Sequence, residues 1–288
     1  MKGRVSVIIP AYNCAKYIEE TLDSVVAQRE PDTGKLSVSD KGLDIEIIVV
    51  DDGSEDETPE VIGRYVNRRN EEVRERFASD TNVSKLTGYV NRTPVRIILL
   101  DNSEGKGAAG ARNTGIKAAT GRYIAFLDSD DRWTEGKLKK QLCFMENKRA
   151  AFSFTGYEFA DARCRGTGKT VQVPETISYK EALKNTTIFT STVMFDMEKL
   201  SKEDILFPAV ESEDTANWWK ILRCRTGTAY GLNEALTLYR RGGGTLSSNK
   251  ARAVKRVWNL YRRVEKLSLP YSIYCFMFYA ARAVKRRV

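Results

Sequence analysis

Short β-branched runs alternate with segments of helical periodicity throughout the first 131 residues. This alternation is typical of an α/β domain built on a mainly parallel central sheet. The first run is continuously apolar, as expected of a strand that is covered on both faces. Strands are predicted at residues 5–10, 45–50, 95–100 and 123–127, helices within 18–26, 58–78 and 108–119, and polar surface loops at 29–43 and 79–94.

Beyond residue 131 the periodicity is weaker, and the predictions rest on local signals. Ser178 and Glu181 form a capping box, which indicates the start of a helix. Trp218 and Trp219 lie on a further helix, where adjacent side chains point in different directions. The other predicted elements are a helix at 137–147, short strands at 151–154 and 191–194, and a helical tail from residue 250.

Composition limits the chemistry that this chain can perform. The 288 residues include no histidine, so a general acid or base must be a carboxylate, Lys, Tyr or Cys. The five cysteines are scattered without a C-x-x-C pair, which argues against a zinc site and a disulfide framework and favours a reducing cytoplasm. The first apolar run is too short for a signal peptide, and no segment has the length of a membrane-spanning helix.

The net charge of +9 is compatible with an anionic partner, either a nucleic acid, an acidic lipid or a phosphorylated substrate. A surface excess that only keeps the protein soluble is the alternative. A nucleic-acid-binding module would need a basic face interleaved with aromatic residues. Here those residues are concentrated in the tail and the predicted sheet edge is acidic, so we expect no nucleic acid partner.

Polar clusters follow all four predicted strands of the first half. In an open α/β sheet, ligands bind at the carboxyl ends of the strands. Each cluster alone could be an ordinary turn. Together they gather like charges, which repel unless a cation offsets them, and Asp128 and Asp130 have the spacing of a Mg²⁺ or Mn²⁺ site beside a phosphate. The clusters occupy residues 10–13, 51–54, 101–102 and 128–131.

Residues 105–110 read G-x-G-x-x-G, with Asp128 about twenty residues further on. This pattern is that of a dinucleotide-binding turn, and an NAD-binding Rossmann enzyme is therefore an alternative. The glycines, however, start several residues after the third strand, not in the tight turn after the first. Asp130 and Asp131 are also unnecessary for binding a ribose, and we disfavour this alternative.

Six segments in fixed order resemble the family 2 glycosyltransferases of GT-A fold. The resemblance covers most of the chain to about residue 250, and the ordered set is far more specific than any one member. It includes Glu213-Asp214 followed by Trp218, similar to the Glu-Asp-x-x-x-Trp segment of that family. The other segments are residues 10–13, 50–54, 110–115, 127–131 and 239–241, the last with Ser247 close behind.

This resemblance implies a fold, a division of the chain and an activity. It implies a GT-A, Rossmann-like domain with a mainly parallel sheet, in which residues 1–131 bind the nucleotide-sugar and 132–249 bind the acceptor. Residues 250–288 form a basic and aromatic helical tail. The implied activity is inverting, Mn²⁺- or Mg²⁺-dependent transfer from a nucleotide-diphosphate sugar, by family frequency a UDP-sugar, to a glycan or polyprenyl-linked acceptor in surface polysaccharide synthesis. A non-catalytic sugar-nucleotide- or glycan-binding relative is the alternative.

The resemblance also assigns residues to the donor nucleotide. Pro10, Ala11 and Tyr12 are expected to surround the base, although Tyr12 could instead be ordinary packing. Asp52 is expected to accept a hydrogen bond from the edge of the base. Asp51 more simply caps the turn or the helix that follows.

Further residues are implied for the metal and for catalysis. Arg112 is expected near the diphosphate or in support of Asp128, which contacts the ribose or the waters of the metal. Asp130 is the expected metal ligand. Asp214 is the expected base that deprotonates the acceptor hydroxyl, with a helix N-terminal acid as the alternative.

Three more residues are candidate phosphate or acceptor contacts. Glu213 precedes the expected base, and either Trp218 or its neighbour could stack on an acceptor sugar while the other is core. Arg241 is expected to reach the phosphates from a loop that closes over the donor. Many relatives have a histidine after the Tyr-Arg segment, and this sequence has none there, so contacts attributed to that histidine cannot be carried over.

The tail has two interpretations. The aromatic run at 271–279 is flanked by basic residues, which suits an interfacial helix at the inner face of an anionic plasma membrane. This interpretation predicts peripheral association through residues 268–288. Packing of the tail on the catalytic domain or on a second subunit is the alternative.

Overall fold

A computed structural model of the chain describes residues 3–29, 43–78, 95–185, 187–241 and 250–285. The two predicted loops lie outside these residues, apart from Arg29 and Leu43. Among the described helices, none combines the length and apolar character needed to cross a bilayer.

A ten-stranded sheet runs through both predicted halves of the domain. Its strand order is β3-β2-β1-β4-β9-β6-β10-β5, with β7 pairing with β6 and β8 with β10. The strands are β1 (Val5–Ala11), β2 (Ile45–Asp51), β3 (Arg96–Asp101), β4 (Tyr123–Phe126), β5 (Arg132–Trp133), β6 (Phe152–Ala160), β7 (Gly166–Val171), β8 (Thr176–Ser178), β9 (Met194–Asp196) and β10 (Thr228–Arg240).

Six of these strands run in the same direction. β1 is parallel to β2 and to β4, and β3 is parallel to β2. β9 is antiparallel to both β4 and β6, so β6 runs with β4, and β10 is parallel to β6. The carboxyl ends of β1, β2, β3, β4, β6 and β10 therefore meet at one edge of the sheet, where ligands of open α/β folds bind.

Helices cover both faces of the sheet. Successive residues of β1 point to opposite faces, so Ile8 belongs to one buried cluster and Val7 and Ile9 to another. This explains why the strand is apolar without alternation. The helices are α1 (Ile18–Val26), α2 (Thr58–Ala78), α3 (Ala108–Ala118), α4 (Lys137–Lys148), α5 (Tyr179–Ala182), α6 (Lys202–Ile205), α7 (Glu213–Ile221), α8 (Lys250–Asn259) and α9 (Leu269–Lys285).

The elements of the first half match their predicted positions to within a residue or two, and the capping box of Ser178 and Glu181 is confirmed at α5. The second half differs. The strand predicted at 151–154 is the nine-residue β6, and the strand predicted at 191–194 is wrong over most of its length. Thr190–Thr192 form a 3₁₀ turn there, and β9 begins only at Met194. The thirteen-residue β10 has no clear signal in its sequence.

The tail packs on the domain. Tyr261 stacks on Trp219 of α7 with ring centroids 5.3 Å apart and an interplanar angle of 3°. The Tyr261 hydroxyl donates to the Leu183 carbonyl, and Leu260 and Cys275 belong to the same buried cluster. The structure thus shows that part of the tail surface packs on the domain, which is one of the two interpretations of the tail.

Candidate active site

The turn after β2 is built by Asp51. One of its oxygens accepts hydrogen bonds from the Gly53 and Ser54 amides at 3.2 and 3.0 Å, and the other accepts from the Ser54 hydroxyl. Asp51 is buried, and its carboxylate is used within the turn. The prediction that Asp51 caps this turn is confirmed.

Asp52 lies beside Asp51 but faces the glycine-rich loop after β3. Its two oxygens accept from the Asn102 side-chain amide and from the Gly107 amide, the latter at 2.7 Å. The loop can approach so closely because Gly107 has a φ of 107° and because a Cβ on Gly110 would lie 1.6 Å from the Gly105 carbonyl oxygen. The glycines of residues 105–110 thus wrap the loop around Asp52.

The predicted base-binding residues lie at the carboxyl end of β1, beside the end of β2 that leads to Asp52. The Asp52 amide donates to the Ala11 carbonyl at 2.8 Å, which joins the ends of β1 and β2. Ala11 is buried, whereas the Tyr12 side chain is 48% exposed at the sheet edge. Pro10, which precedes Ala11 and Tyr12 in the chain, is half-buried in β1. An exposed aromatic ring and a carboxylate acceptor at the same edge of the sheet can together stack on a base and bind its edge.

Arg112 connects three elements of the site. It projects from α3, and its buried guanidinium donates to Asp128 at 2.7 Å and to Glu213 at 3.0 Å. Asp128 follows β4, and Glu213 opens α7. The structure thus brings Arg112 into support of Asp128, one of the two roles expected of it, and ties the end of β4 to the helix that carries Asp214.

The segment after β4 is held by a residue that the sequence did not single out. The Ser191 hydroxyl donates to Asp131 at 2.7 Å and accepts from the Asp128 amide at 3.1 Å. Asp131 is fully buried and also accepts from the Arg240 amide. No short motif marks Ser191, because its partners are about sixty residues away in the sequence.

Arg240 supports the same segment from the end of β10. Its Nε donates to the Asp130 carbonyl at 2.6 Å, and its guanidinium also donates to Glu20 at 2.8 Å. The side chain is buried. Arg240 and Ser191 therefore fix the backbone of the acidic segment from both sides. The Asp130 carboxylate is positioned by this rigid turn.

Asp130 is half-buried and lies close to a second carboxylate. Burial, and then the negative charge of Asp128, raise the pKa of Asp130 to about 6. The Asp128 carboxylate is paired with Arg112, so the charge that a divalent cation would offset is chiefly that of Asp130. Among the described residues, no three His, Cys, Asp or Glu side chains are arranged to hold a metal ion. Asp128 and Asp130 fit an ion that keeps waters and takes substrate phosphate oxygens as its remaining ligands.

Asp214 lies in the first turn of α7, next to Glu213. It is half-buried, and one of its oxygens accepts from the Thr215 amide at 2.6 Å. Burial, and then the charge of Glu213, raise the pKa of Asp214, while Arg112 acts in the opposite direction. A carboxylate with a raised pKa, located at the sheet edge, can accept a proton from a hydroxyl.

Both indoles of α7 are buried, which corrects one expectation. Trp218 is 2% exposed and contacts Phe152, Phe195 and Phe207, and Trp219 is 1% exposed beneath the tail. Neither ring presents a free face to an acceptor sugar in this structure. The reason is that α7 is covered on one side by the sheet and on the other by the tail.

Arg241 follows β10 and is exposed. Its guanidinium lies 4.1 Å from the centre of the Phe159 ring and 5.8 Å from that of Tyr239. The predicted donor-covering loop, including Ser247, starts at the next residue and lies outside the described residues. A phosphate contact by Arg241 stays a prediction.

The sequence is similar to those of known proteins along most of its length. The profile of the family described as glycosyl transferase family 2 matches residues 6–79 and 77–199. TuaG of Bacillus subtilis (strain 168), a glycosyltransferase assigned to teichuronic acid biosynthesis, is 38% identical over all of this chain and 98% of its own length. WfaP of Escherichia coli, a UDP-Glc:α-D-GlcNAc-diphosphoundecaprenol β-1,3-glucosyltransferase, is 34% identical over 96% of this chain and 92% of its own length.

Solved structures agree on the fold. The mannosyltransferase PcManGT of Pyrobaculum calidifontis, in complex with GDP-Man and Mn²⁺, superposes with a TM-score of 0.61 over 98% of this chain and 74% of its own, at 18% sequence identity. The predicted GT-A fold is confirmed. With the profile match over most of the chain and two full-length relatives above 30% identity, the chain belongs to glycosyl transferase family 2.

Proposed function

We propose that the chain is an inverting, metal-dependent transferase that moves a sugar from a nucleotide-diphosphate sugar, most simply a UDP-sugar, to a hydroxyl of a glycan. The observation that carries the proposal is the buried ion-pair network of Arg112. It joins the acidic segment after β4 to the helix that bears Asp214. One side chain thereby joins the segment proposed to act at the leaving diphosphate to the helix that bears the group proposed to act at the acceptor hydroxyl.

The donor nucleotide is assigned to the ends of β1 and β2. Asp52 still has acceptor capacity, because a carboxylate has about four lone-pair sites and, among the described residues, two hydrogen bonds occupy them. It can accept an N–H from uracil, and Tyr12 can lie against the ring. The name of WfaP, which specifies UDP-Glc, supports uridine, whereas the GDP-Man of PcManGT shows that the same fold accepts another base.

Asp128 and Asp130 are assigned to a Mn²⁺ or Mg²⁺ ion. The Mn²⁺ of the PcManGT complex supports a metal in this fold. When bound, such an ion stabilises the negative charge that develops on the departing diphosphate. The contribution of the chain is to orient Asp130 through Arg240 and Ser191, and to hold Asp128 through Arg112.

Asp214 is assigned to the acceptor hydroxyl. The hydroxyl oxygen attacks the anomeric carbon as its proton passes to the Asp214 carboxylate, and the bond from that carbon to the diphosphate oxygen breaks. A single displacement of this kind inverts the configuration. The raised pKa of Asp214 makes it a better base than an ordinary aspartate, and the chain contains no histidine to replace it.

The acceptor is assigned to the class of lipid-linked glycans in surface polysaccharide synthesis. The names of TuaG and WfaP, a teichuronic acid enzyme and a transferase to a diphosphoundecaprenol-linked sugar, support this class. A lipid-linked acceptor would bring the enzyme to the inner face of a membrane, and residues 268–288 are the predicted contact.

A nucleotide-release screen tests this function. The purified chain is incubated with UDP-, dTDP- and GDP-sugars, with and without Mn²⁺, beside Asp214→Asn. We expect Mn²⁺-dependent release from one donor. With an acceptor present, Asp214→Asn should lower the transfer rate by about 10²- to 10⁴-fold while donor binding is retained. Glu211→Gln, an exposed acid on the preceding turn, is the matched control and should transfer normally.

Two results would contradict the proposal. Transfer that is unchanged in Asp214→Asn removes that residue as the base, and retention of anomeric configuration in the product removes the single displacement. Absence of binding to every donor, with metal present, would instead favour a non-catalytic glycan-binding relative.

A further inference from the structure

One half of helix α9 is exposed and wholly apolar. The most exposed side chain is Met277, at 64%, and Ile273 is 46% exposed. At about 100° per residue, the exposed positions between 269 and 281 fill about half of the helix circumference. They are Leu269, Pro270, Ile273, Tyr274, Met277, Phe278 and Ala281.

The other half of α9 is occupied by the domain. Ser272 and Cys275 are fully buried, and Phe276 and Tyr279 pack against the large core cluster. A helix at the surface of a globular protein normally has charged or polar residues on its outer face. Here both faces are apolar, so packing on the domain leaves an apolar surface without a partner. A contiguous patch of this kind marks an interaction site.

Positive charge is concentrated in the same part of the chain. Residues 250–288 contain 11 of the 47 basic residues and one of the 38 acidic residues, so they carry +10 and the remaining 249 residues carry −1. The one acid, Glu265, is buried and paired with Arg223. The excess positive charge of the protein is therefore a property of its tail.

Basic side chains flank the apolar half of α9. Lys266 is exposed just before the helix, and Arg282 is exposed near its end. The Lys184 ammonium lies 5.7 Å from the centre of the Tyr274 ring and 5.9 Å from that of Phe278. An apolar strip with aromatic rings and a basic border is the pattern of an element that lies in the interface of an anionic bilayer.

We infer that the exposed half of α9, from Leu269 to Ala281, is a docking surface for an anionic membrane. The opposite face of α9, which carries Ser272 and Cys275, stays on the domain. The charge distribution favours lipid over a second copy of the chain, because a symmetric pair would bring two tails of +10 together. Anionic lipid headgroups attract basic residues near the surface.

The position of the tail on the domain relates membrane docking through α9 to catalysis. This part of the inference rests on the proposed function. The tail contacts α7 through the stack of Tyr261 on Trp219, and Asp214 lies five residues earlier on the same helix. This corresponds to about 7.5 Å along the axis of α7. Docking through α9 would hold the candidate base near the membrane, where the sugar of a lipid-linked acceptor is located.

Co-sedimentation with vesicles tests the surface. The full chain is mixed with phosphatidylcholine vesicles, with and without phosphatidylglycerol. We expect binding to the anionic vesicles that weakens as salt rises. Ile273→Gln with Met277→Gln should weaken it by about tenfold or more, because two apolar side chains no longer insert. Val254→Gln with Val264→Gln is the matched control, since both are exposed tail residues outside α9, and it should bind as wild type.

Three outcomes would overturn the inference. They are a wild-type chain with no preference for anionic vesicles, a Gln pair on α9 that binds as wild type, and a dimer that this pair dissociates while vesicle binding is unchanged. Donor turnover in solution is measured on the same samples and should be equal in all variants. Vesicle binding without any donor turnover would count against the proposed function and leave the docking surface in place.

Discussion

The acidic residues after β2 and those after β4 lie at the same edge of the sheet, but their surroundings differ. The carboxylates of Asp51 and Asp52 each accept hydrogen bonds from two or more groups within the sheet edge. Asp130, after β4, lies beside Asp128 instead, and its pKa is raised to about 6. Both clusters are aspartates after a buried strand, and the sequence does not distinguish their environments.

The difference indicates separate roles. Hydrogen bonds hold the carboxylates after β2 in fixed orientations, which suits recognition of a base edge. After β4, Asp128 is paired with Arg112 and Asp131 accepts from Ser191 and Arg240, whereas burial and the charge of Asp128 raise the pKa of Asp130. A cation would offset the charge of Asp130, so the second cluster suits metal and diphosphate.

Among substitutions in these two clusters, removal of the Asp130 carboxylate should have the largest effect on donor turnover. Asp130→Asn should lower donor turnover by about a hundredfold or more, because the stabilisation of the leaving diphosphate by the metal is lost. Asp101→Asn, an exposed acid at the end of β3 on the same edge, should change turnover little. Steady-state assays over a range of Mn²⁺ concentrations measure both. Equal effects of the two substitutions would remove the distinction between the clusters.

The dependence of metal affinity on pH is the second prediction. Asp130 must be ionised to bind a cation, and its raised pKa places that ionisation near pH 6. Mn²⁺ affinity should be high above this pH and should fall by about tenfold per pH unit below it. Calorimetric titration between pH 5 and 7.5 measures this. A flat profile in the wild-type chain would contradict the assigned environment.

Asp52 should show a smaller effect of a different kind. Asp52→Ala removes the acceptor for the base edge and the anchor of the glycine-rich loop, so the KM for the donor should rise by about tenfold while kcat changes less. The same variant should bind Mn²⁺ with unchanged affinity in the absence of donor. Loss of Mn²⁺ binding in Asp52→Ala would mean that both clusters take part in metal binding.

The smallest expected effect on activity is that of Asp51. Asp51→Ala leaves the Gly53 and Ser54 amides without their acceptor, and should lower the free energy of unfolding by about 1–2 kcal/mol. Donor KM should change less than in Asp52→Ala. Chemical denaturation with donor kinetics separates the two positions, and a larger effect of Asp51→Ala on KM would reverse the roles of the neighbours.

Local signals were sufficient for the first half of the fold. β1, β2 and α3 follow from apolar runs and helical periodicity, which are local properties of the sequence. β10 was not predictable in this way. Its sequence includes Gly231, Asn233 and Glu234, and its pairing with β6 contains two register shifts, so the strand depends on partners far away in the chain.

The residues of the candidate site also divide into those that local motifs predict and those that they do not. Asp52, Asp128, Asp130 and Asp214 were predicted as site residues from ordered motifs, because short segments after the strands and at the start of α7 carry them. Ser191 and the buttressing role of Arg240 were not, because each acts through a residue about sixty to one hundred and ten positions away. The expected sugar-stacking indole at 218 was wrong for the same reason, since burial of Trp218 depends on what covers α7.

The sequence by itself determined the α/β class, the strand ends that bear the acids, the family and the absence of a histidine base. These properties depend on residue type and short-range spacing. The tertiary structure alone decided that Arg112 joins Asp128 to the helix of Asp214, that the pKa of Asp130 is raised, and that α9 buries one apolar half and exposes the other. Each of these depends on which distant residues share a low-dielectric environment or compete for the same surface, and the spacing of residues along the chain does not record that.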